Sequence, residues 1–502
     1  MTPANRRLMW LAYALTIAAG IVSIVVYAGS KFVFTFFCLV VFSIAALAVR
    51  LPNHYAHLFL GIMWFTGFWV KYIFHQATGA NYQEPHGLFD GSHASWDLVF
   101  LVIGVGGAGY LFGRLVALPV VRSATSALLD RPINVPRWWP SYRNLLWSAA
   151  GLVVLVVVAA NQEFGFLVRG YVARFILPWP FGGLFAWLTD IGLALLLALF
   201  LAWDRRSGFG ALRGFLALCI EGALFSVSTL SRGIYFFHTV PPLVTEGVKA
   251  FRERKRWSLV PLAAIWIVVG VGIPSGTTTL RLFGQNAVPT TQSQLQASRS
   301  APIRRPIDAD MGNFRLWWDH FVIMSQLLVI DRWTGLEGMM ATVAYPDKGL
   351  SLLEEAAGTR RSYGTVDVYT RTISGSGFTE ENAKTYHFAS LAGPIAFFYF
   401  SGSLAAVFAG MAVVAVLMSA IELFWRWLVR DELLVAMSGL YLALIVMQFS
   451  GGVVHSAASI AAVTVAFLAV WCFCLFAGTR KAPKHEVDRY NAGDQTYHPH
   501  RG

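Results

Sequence analysis

The sequence predicts an all-α polytopic membrane protein with about twelve transmembrane helices. Of its 502 residues, 56% are hydrophobic and only 13% are charged, and the mean hydropathy is +0.57. A soluble protein of this length needs more charged surface than that. Runs such as "GLVVLVVVAA" and "GLALLLALFLAW" are uncharged and typical of helices that cross a bilayer.

Apolar runs along the chain define the spans, and the positions of Lys and Arg between them predict their orientation. The predicted spans are 9–28, 31–49, 55–75, 97–118, 144–160, 181–203, 211–230, 233–248, 258–275, 391–418, 433–450 and 457–477. No small-residue cleavage site precedes "GSKFVF" and a second span follows at once, so we expect the first run to be a span and not a signal peptide. With the N-terminus inside, about 22 Lys and Arg fall on inner segments and about four on short outer loops, which predicts two cytoplasmic termini.

This topology divides the chain into four parts. Residues 1–275 hold spans one to nine, 276–390 form a large outer loop, 391–478 hold spans ten to twelve, and 479–502 form a cytoplasmic tail. Loops longer than about 15 residues are usually functional or disordered. Within the large loop, "FVIMSQLLVI" is too short to span. Its neighbourhood, from "NFRLWW" to "VAYP", predicts one or two amphipathic helices on the outer membrane surface.

The charge and the cysteines exclude other classes of protein. The formal net charge of +12 lies mainly on the inner loops, so we expect a lipid bilayer and not a nucleic acid as the partner of these residues. The four cysteines lie in apolar spans without the spacing of a disulfide framework or a metal site.

One arginine interrupts the apolar stretch "FSVSTLSRGIYFFHTVPPLV". A guanidinium at the bilayer centre costs roughly 2.5–3.5 kcal/mol, so such residues serve a site or lie at a helix end. The predicted topology assigns Arg232 to the outer end of span seven, in a turn that Gly233 is expected to ease. Two interpretations stay open here: an end-of-helix arginine that snorkels to water, and an anion site.

Other arginines also lie on predicted outer segments, against the positive-inside bias. They are Arg169, Arg174, Arg332, Arg304, Arg305, Arg360 and Arg361. The last four fit a solvated loop, whereas Arg332 follows the mainly apolar segment "FVIMSQLLVI" and one aspartate, and precedes a tryptophan. Two or three arginines that converge at the outer surface would suit a lipid-linked pyrophosphate, because charge-assisted hydrogen bonds contribute roughly 1.5–3 kcal/mol each.

Histidines supply candidate general bases, because a neutral imidazole titrates near physiological pH. His387 precedes span ten and is expected at the outer face. The remaining histidines considered are His75, His86, His93, His238, His320 and His455. "DAD" at 308–310 resembles a metal-binding D-x-D motif but is short and lies in a polar segment. Asp190 and Glu221 lie within spans, where we expect them to pair with a hydroxyl, an amide or an arginine.

Three motifs, in this order and on this side of the membrane, resemble those of the O-antigen polymerase and O-antigen ligase superfamily. The first is Ser231–Arg232–Gly233, and the second is "IDRWTGLEGMMATVAYPDKG" in the large loop. The third is His387 followed by a glycine-containing span. The resemblance covers roughly residues 140–450, although "HFASLAGP" departs from the more polar segment with Asn that follows the histidine of the ligases.

The resemblance implies a GT-C-like fold and a metal-independent, inverting glycosyl transfer without a cofactor at the periplasmic face of a bacterial inner membrane. The donor would be a glycan on undecaprenyl pyrophosphate. Arg232 and Arg332 would bind the pyrophosphate, and His387 would deprotonate the acceptor hydroxyl. Arg169 and Arg174 would belong to the basic loop that holds the chain or the lipid phosphate. Polymerases of this type often work with a chain-length regulator, which becomes a further expected partner.

Alternatives remain at this stage. A polymerase of O-antigen, common-antigen or exopolysaccharide repeats is favoured over a ligase that moves the chain to lipid A core, because the chain is long and its smaller outer loop is basic. A secondary transporter would show a charged cluster at the membrane midplane, but no repeated halves are visible. A polyprenyl-monophosphate-dependent transferase is disfavoured because the first outer loop, "AGSK", has no carboxylate.

Overall fold

The computed structural model describes residues 3–82, 84–129, 134–178, 180–253, 266, 330, 335–359, 366–384, 392–476 and 479–480. The helices are α1 Pro3–Val26, α2 Lys31–Arg50, α3 Tyr55–Thr78, α4 His93–Leu129, α5 Trp139–Phe164, α6 Phe181–Arg206, α7 Leu212–Ser228, α8 Arg232–Glu253, α9 Leu336–Ala344, α10 Leu350–Gly358, α11 Glu380–Ala383, α12 Pro394–Tyr399, α13 Leu404–Val429, α14 Glu432–Met447 and α15 Val453–Phe476. Strands β1 Val135–Pro136 and β2 Thr479–Arg480 form one short antiparallel pair.

Seven of the described helices are long and apolar enough to cross a membrane, so the chain is a helical membrane protein. They are Lys31–Arg50, Tyr55–Thr78, His93–Thr125, Trp139–Phe164, Phe181–Arg206, Leu404–Val429 and Val453–Cys474. Tyr13–Val26 and Glu432–Met447 are shorter apolar helices. Predicted span 258–275 lies outside the described residues apart from Trp266, and a total of twelve spans stays a prediction.

The predicted tenth span, 391–418, begins in the wrong place. The structure has a short helix α12, then a break at 400–403, and only then the long helix α13. Gly402 adopts a left-handed φ of 73°, which ends α12, and Ser403 caps α13 by accepting a hydrogen bond from the Ala406 N–H. The break divides an apolar run that contains no charge to mark it.

Close helix packing holds the centre of the bundle together. Helices α4 and α13 approach so closely that a Cβ on Gly109 would lie 2.2 Å from the Phe408 carbonyl oxygen, and one on Gly113 would lie 2.1 Å from that of Ala412. The two glycines are four residues apart, the spacing that lets helix backbones touch in membranes. The apolar core extends from this seam over α2, α3 and α14.

Contacts between loops group the helix ends into two sets. At one end, which we call the inner end, the β pair joins 135–136 to 479–480, and Arg206 pairs with Asp431 at 3.4 Å. At the opposite, outer end, the Gly87 N–H donates to the Ser374 carbonyl, and the loop after α5 contacts the turn after α7. This grouping agrees with the predicted alternation of loops, while the orientation relative to the cell stays a prediction.

Candidate functional site

The turn between α7 and α8 precedes the predicted Ser231–Arg232–Gly233 motif. The Ser231 N–H donates to the Ser226 carbonyl at 2.9 Å, and the Leu230 N–H donates to the Val227 carbonyl at 3.2 Å. These two bonds, with Leu230 at a φ of 52°, form the Schellman arrangement that ends a helix. Glycine usually occupies that left-handed position because a side chain is strained there.

Arg232 is the first residue of α8 and follows directly on the turn between the two predicted spans. The expectation that Gly233 eases this turn is wrong. Gly233 lies inside α8, and the left-handed residue is Leu230. A Cβ on Gly233 would lie 2.8 Å from the Phe237 ring, so the glycine makes room for an aromatic side chain one turn further along.

The basic loop 165–178 lies across this turn. The Asn161 side chain is 1% exposed, accepts from the Leu167 N–H at 2.9 Å, and donates to the Ser228 carbonyl at 3.0 Å. The Arg169 N–H donates to the Thr229 carbonyl at 2.8 Å. The loop is therefore attached to the backbone three residues before Arg232.

Arg169 and Arg174 differ in their surroundings. Arg169 pairs with Asp190 at 2.5 Å, and their side chains are 41% and 23% exposed. Arg174 is exposed, and its N–H donates to the Gly165 carbonyl at 3.0 Å. Within the described residues its guanidinium makes no ion pair, which leaves its charge available to an external anion.

Asp190 lies in a π-helical turn, Leu188–Gly192, in the middle of α6. Single π turns interrupt the regular hydrogen-bond ladder of a helix and are frequent at functional sites. Here His238 of α8 lies with its Nε2 2.9 Å from the Asp190 carbonyl oxygen. The expectation that Asp190 pairs with an arginine is confirmed by its contact with Arg169.

Glu221 has a different partner from those expected. Its Oε2 lies 2.7 Å from Nδ1 of His238, and the two side chains are 2% and 1% exposed. The sequence predicts a hydroxyl, an amide or an arginine as the partner of Glu221. The structure supplies an imidazole from the next helix because Glu221 and His238 face each other across the tightly packed α7–α8 hairpin, where a Cβ on Gly222 would lie 3.4 Å from the His238 Cβ.

The second half of the large outer loop folds into the bundle. The expectation that its helices lie on the membrane surface is wrong for α9, which is buried from Leu336 to Val343. A Cβ on Gly338 would lie 2.6 Å from the Ala392 backbone, and Lys71 of α3 pairs with Glu337 at 2.5 Å. Helix α10 is amphipathic, with Leu352 and Ala356 buried.

The "YPDKG" segment forms the turn between α9 and α10. The Lys348 ammonium donates to carbonyl groups at the end of α9, at 3.0 Å for Val343 and also to Tyr345. A cation at this position stabilises a helix C-terminus. Burial lowers the pKa of Lys348. Among the described residues, the Lys348 side chain therefore serves to cap the C-terminus of α9.

The inner end carries a second polar cluster. Glu422 of α13 accepts hydrogen bonds from the N–H groups of Tyr55 and Ala56 at 2.8 Å each and so caps α3. His54, Glu422 and Arg426 line a narrow cleft. Burial, followed by the positive charges of Arg114, Arg426 and Arg122, lowers the pKa of His54 to about 4.

The predicted site residues are only partly described. Arg169 and Arg174 lie in one loop beside the start of α8, and Arg232 is described by its backbone alone. Arg332 and His387 lie outside the described residues. Sequence reasoning missed the buried pairs of His238 and Lys71; the signal was an ionisable residue inside an apolar run, as in "FWVKYIF".

No group of three His, Cys, Asp or Glu side chains within the described ranges is arranged to hold a metal ion. The expected independence from metals and cofactors stays a prediction. In comparisons with known proteins, no family model, curated protein or solved structure matches the chain.

Proposed function

We propose that this chain is a polysaccharide polymerase of the bacterial inner membrane, a GT-C-type glycosyltransferase. It transfers a glycan from undecaprenyl pyrophosphate to the hydroxyl of a second lipid-linked glycan at the periplasmic face, with inversion and without a metal. Arg232 and Arg332 bind the pyrophosphate, and Arg169 and Arg174 hold the lipid phosphate or the growing chain. His387 takes the proton of the attacking hydroxyl.

The observation that carries this proposal is the hydrogen bond from the Arg169 N–H to the Thr229 carbonyl at 2.8 Å. It attaches the basic loop to the turn that leads into Arg232, so two segments that are distant in sequence supply cations to one end of the bundle. Several cations at an outer surface suit a pyrophosphate, because positive charge stabilises this leaving group as it departs.

Backbone strain at the same turn supports the proposal. Leu230 and Arg430 are the two non-glycine residues with positive φ among those described, and Leu230 lies two residues before Arg232. Strained conformations of this kind cluster at functional sites. The first N–H groups of α8 add a positive potential, because a helix start presents unpaired donors.

Complementation of a strain that lacks this gene tests the proposal. Variants Arg232→Ala, Arg332→Ala, His387→Ala and Arg174→Ala are compared by the length of surface polysaccharide and by membrane insertion. The matched control is Arg213→Ala, an exposed arginine at the inner start of α7 that bonds Asn144 at 2.7 Å. We expect single repeat units with the four site variants and full-length chains with the control.

Two other outcomes would contradict the polymerase. Long lipid-linked chains that never reach lipid A core would indicate the ligase reaction instead. Normal polysaccharide from all four inserted variants would remove the arginines and the histidine from any transfer site.

A secondary transporter is the second candidate, favoured by two pairs of buried ionisable side chains among the described residues. Glu221 with His238 and Lys71 with Glu337 lie inside the helical bundle, where ionisable groups often serve ion or proton pathways. Reconstituted vesicles with an internal pH dye test this candidate. Substrate-dependent proton uptake that disappears in Glu221→Gln and survives in Glu163→Gln, an exposed glutamate of α5, would favour it over the polymerase.

A further inference from the structure

A narrow cleft at the inner end, which we call the inner cleft, lies where the turn before α3 meets α4 and α13. It is lined by His54 from the turn, Thr125 from α4, and Ser419, Glu422 and Arg426 from α13. Its volume is about 10 Å³, the space of one water molecule or one ligand oxygen. His54 and Arg426 are 9% and 4% exposed, so a group in the cleft is almost enclosed by hydrogen-bond donors.

Positive charge predominates around the inner cleft. Three arginines, Arg114, Arg122 and Arg426, act electrostatically on the His54 imidazole. Among the described residues that line the cleft, the carboxylate is Glu422, which lies 3.5 Å from Arg426. Its two oxygens already accept hydrogen bonds from backbone N–H groups at the start of α3. Three guanidinium groups against one carboxylate leave an excess of two positive charges.

Arg114 is the least compensated of these cations. It is 1% exposed, and its Nη2 donates to the Leu47 carbonyl at 3.3 Å. Its Nε and Nη1 are buried and have no hydrogen-bond partner among the described residues. It interacts electrostatically with the carboxylate of Glu422, which is already engaged. A buried cation without a counter-ion is strongly destabilising, so an anion that enters the nearby cleft stabilises the folded protein.

The inner cleft lies at the depth expected for lipid headgroups. Helix α2 ends at Arg50, and the membrane-spanning part of α4 ends at Thr125. Arg50 and Arg122 are exposed at this level. Basic pockets between transmembrane helices at the inner side bind the phosphates of anionic lipids. The position of the cleft therefore fits a phosphate group that approaches from the bilayer surface.

We propose that the inner cleft binds a phosphate group, with one phosphate oxygen between His54 and Arg426 and the rest of the group at the mouth, in the field of Arg122. Guanidinium groups donate charge-assisted hydrogen bonds that suit phosphate oxygens. Arg114 contributes its charge from within the bundle. The phosphate belongs to an anionic phospholipid or is inorganic phosphate, and the headgroup depth favours the lipid. The cleft and Arg169 lie at opposite ends of the bundle, so this inference is independent of the proposed glycosyl transfer.

Thermal unfolding of the purified full-length protein in neutral detergent tests the site. The additions are phosphatidylglycerol, phosphatidylcholine, inorganic phosphate and chloride, each at the same total ionic strength. We expect phosphatidylglycerol to raise the unfolding temperature by at least about 2 °C, and by more than phosphatidylcholine, because a ligand of the folded state stabilises it. An equal rise with inorganic phosphate would support the site and identify free phosphate as its ligand. A rise with chloride as large as with either, or no rise at all, would overturn the phosphate site.

Arg114→Met separates a ligand site from an ordinary structural contact. Without anionic lipid, the variant should be at least as stable as the wild type, because it removes a buried cation that lacks a counter-ion. Its apparent Kd for phosphatidylglycerol should rise about tenfold, since the charge that attracts the phosphate is lost. The matched control Arg213→Ala, at an exposed arginine of the inner end, should keep the wild-type affinity. A variant that is less stable without lipid but keeps full affinity would contradict the proposal.

Arg122→Gln provides a second test at an exposed position, where the substitution leaves the packing intact. Its unfolding temperature without lipid should equal that of the wild type. Its apparent Kd for phosphatidylglycerol should rise about fivefold, the effect of one basic residue near an anionic surface. Unchanged affinity in both Arg114→Met and Arg122→Gln would overturn the site.

Discussion

One nitrogen of Arg169, Nη2, lies 2.5 Å from one carboxylate oxygen of Asp190 and 2.6 Å from the other. The two residues are 21 positions apart, in the outer loop and in the π turn of α6. The pair connects the loop that carries the predicted phosphate-binding arginines to a helix of the bundle. Its main effect is to fix the position of the loop, because solvent screens a pair that is 41% and 23% exposed.

A double-mutant cycle should therefore give a small coupling energy for this pair. We expect Arg169→Gln and Asp190→Asn to be coupled by about 0.2–1 kcal/mol in stability, the range of exposed ion pairs. Thermal unfolding of the four proteins in detergent measures the coupling. A value of several kcal/mol would show that the membrane desolvates both groups and that the pair is a core contact.

Leu230 provides a test of the strained turn. Leu230→Gly should raise the free energy of unfolding by roughly 1 kcal/mol, because glycine adopts the left-handed conformation without steric cost. The matched control is Val227→Gly, in the last turn of α7, which should lower it by roughly 1 kcal/mol. If Leu230→Gly is more stable but less active, the strain at this turn serves the site next to Arg232. Equal losses of stability in both variants would contradict the strain.

Asp204 holds the inner end of α6 against α5. It accepts from Nε1 of Trp139 and of Trp147 at 3.0 Å each, and from Arg143 at 2.8 and 2.9 Å. Asp204→Ala leaves these donors unsatisfied beside a position that is 1% exposed, so we expect a loss of about 3–5 kcal/mol. Thermal unfolding in detergent measures it, with Glu432→Ala at the inner start of α14 as the control. A loss below about 1 kcal/mol would show that water replaces the carboxylate.

Lys71 and Glu337 test whether the outer loop depends on a buried charge pair. Lys71→Met alone should reduce folded protein strongly, because it leaves the Glu337 carboxylate, 3% exposed, without its cation. The double variant Lys71→Met/Glu337→Met should recover most of the loss, since apolar residues of similar size often replace buried pairs. The measurement is the folded fraction by size-exclusion chromatography. A double variant that is worse than either single variant would show that another group depends on these charges.

Hydropathy predicted the class of fold and most of the described helices, because a bilayer span must be long and apolar whatever its neighbours are. It did not predict the break at Gly402, which depends on a backbone conformation, or the burial of α9. A nine-residue helix on the membrane surface and one buried in the bundle have nearly the same amino-acid composition. They differ mainly in the residues that surround them. The turn before Arg232 was expected from the sequence, but its left-handed residue was not, since leucine is rarely chosen for that position. Which side chains pair, such as His238 with Glu221, depends on how each helix is oriented about its own axis. No periodic pattern in a single sequence gives that orientation.

His54 predicts how stability depends on pH. Burial and three arginines hold its pKa at about 4 in the folded protein, against 6.5 for an unperturbed histidine. Above pH 6.5 the imidazole is neutral in both states and its contribution is complete. As the pH falls from 6.5 towards 4, the unfolded chain binds a proton that the folded protein does not, so stability decreases by up to about 3 kcal/mol.

The temperature at the midpoint of unfolding should fall over this pH range more in the wild type than in His54→Gln. The control His93→Gln, at an exposed histidine of the outer end, should follow the wild type. Parallel curves for His54→Gln and the wild type would mean that water in the inner cleft hydrates this imidazole and that the three arginines do not act on it.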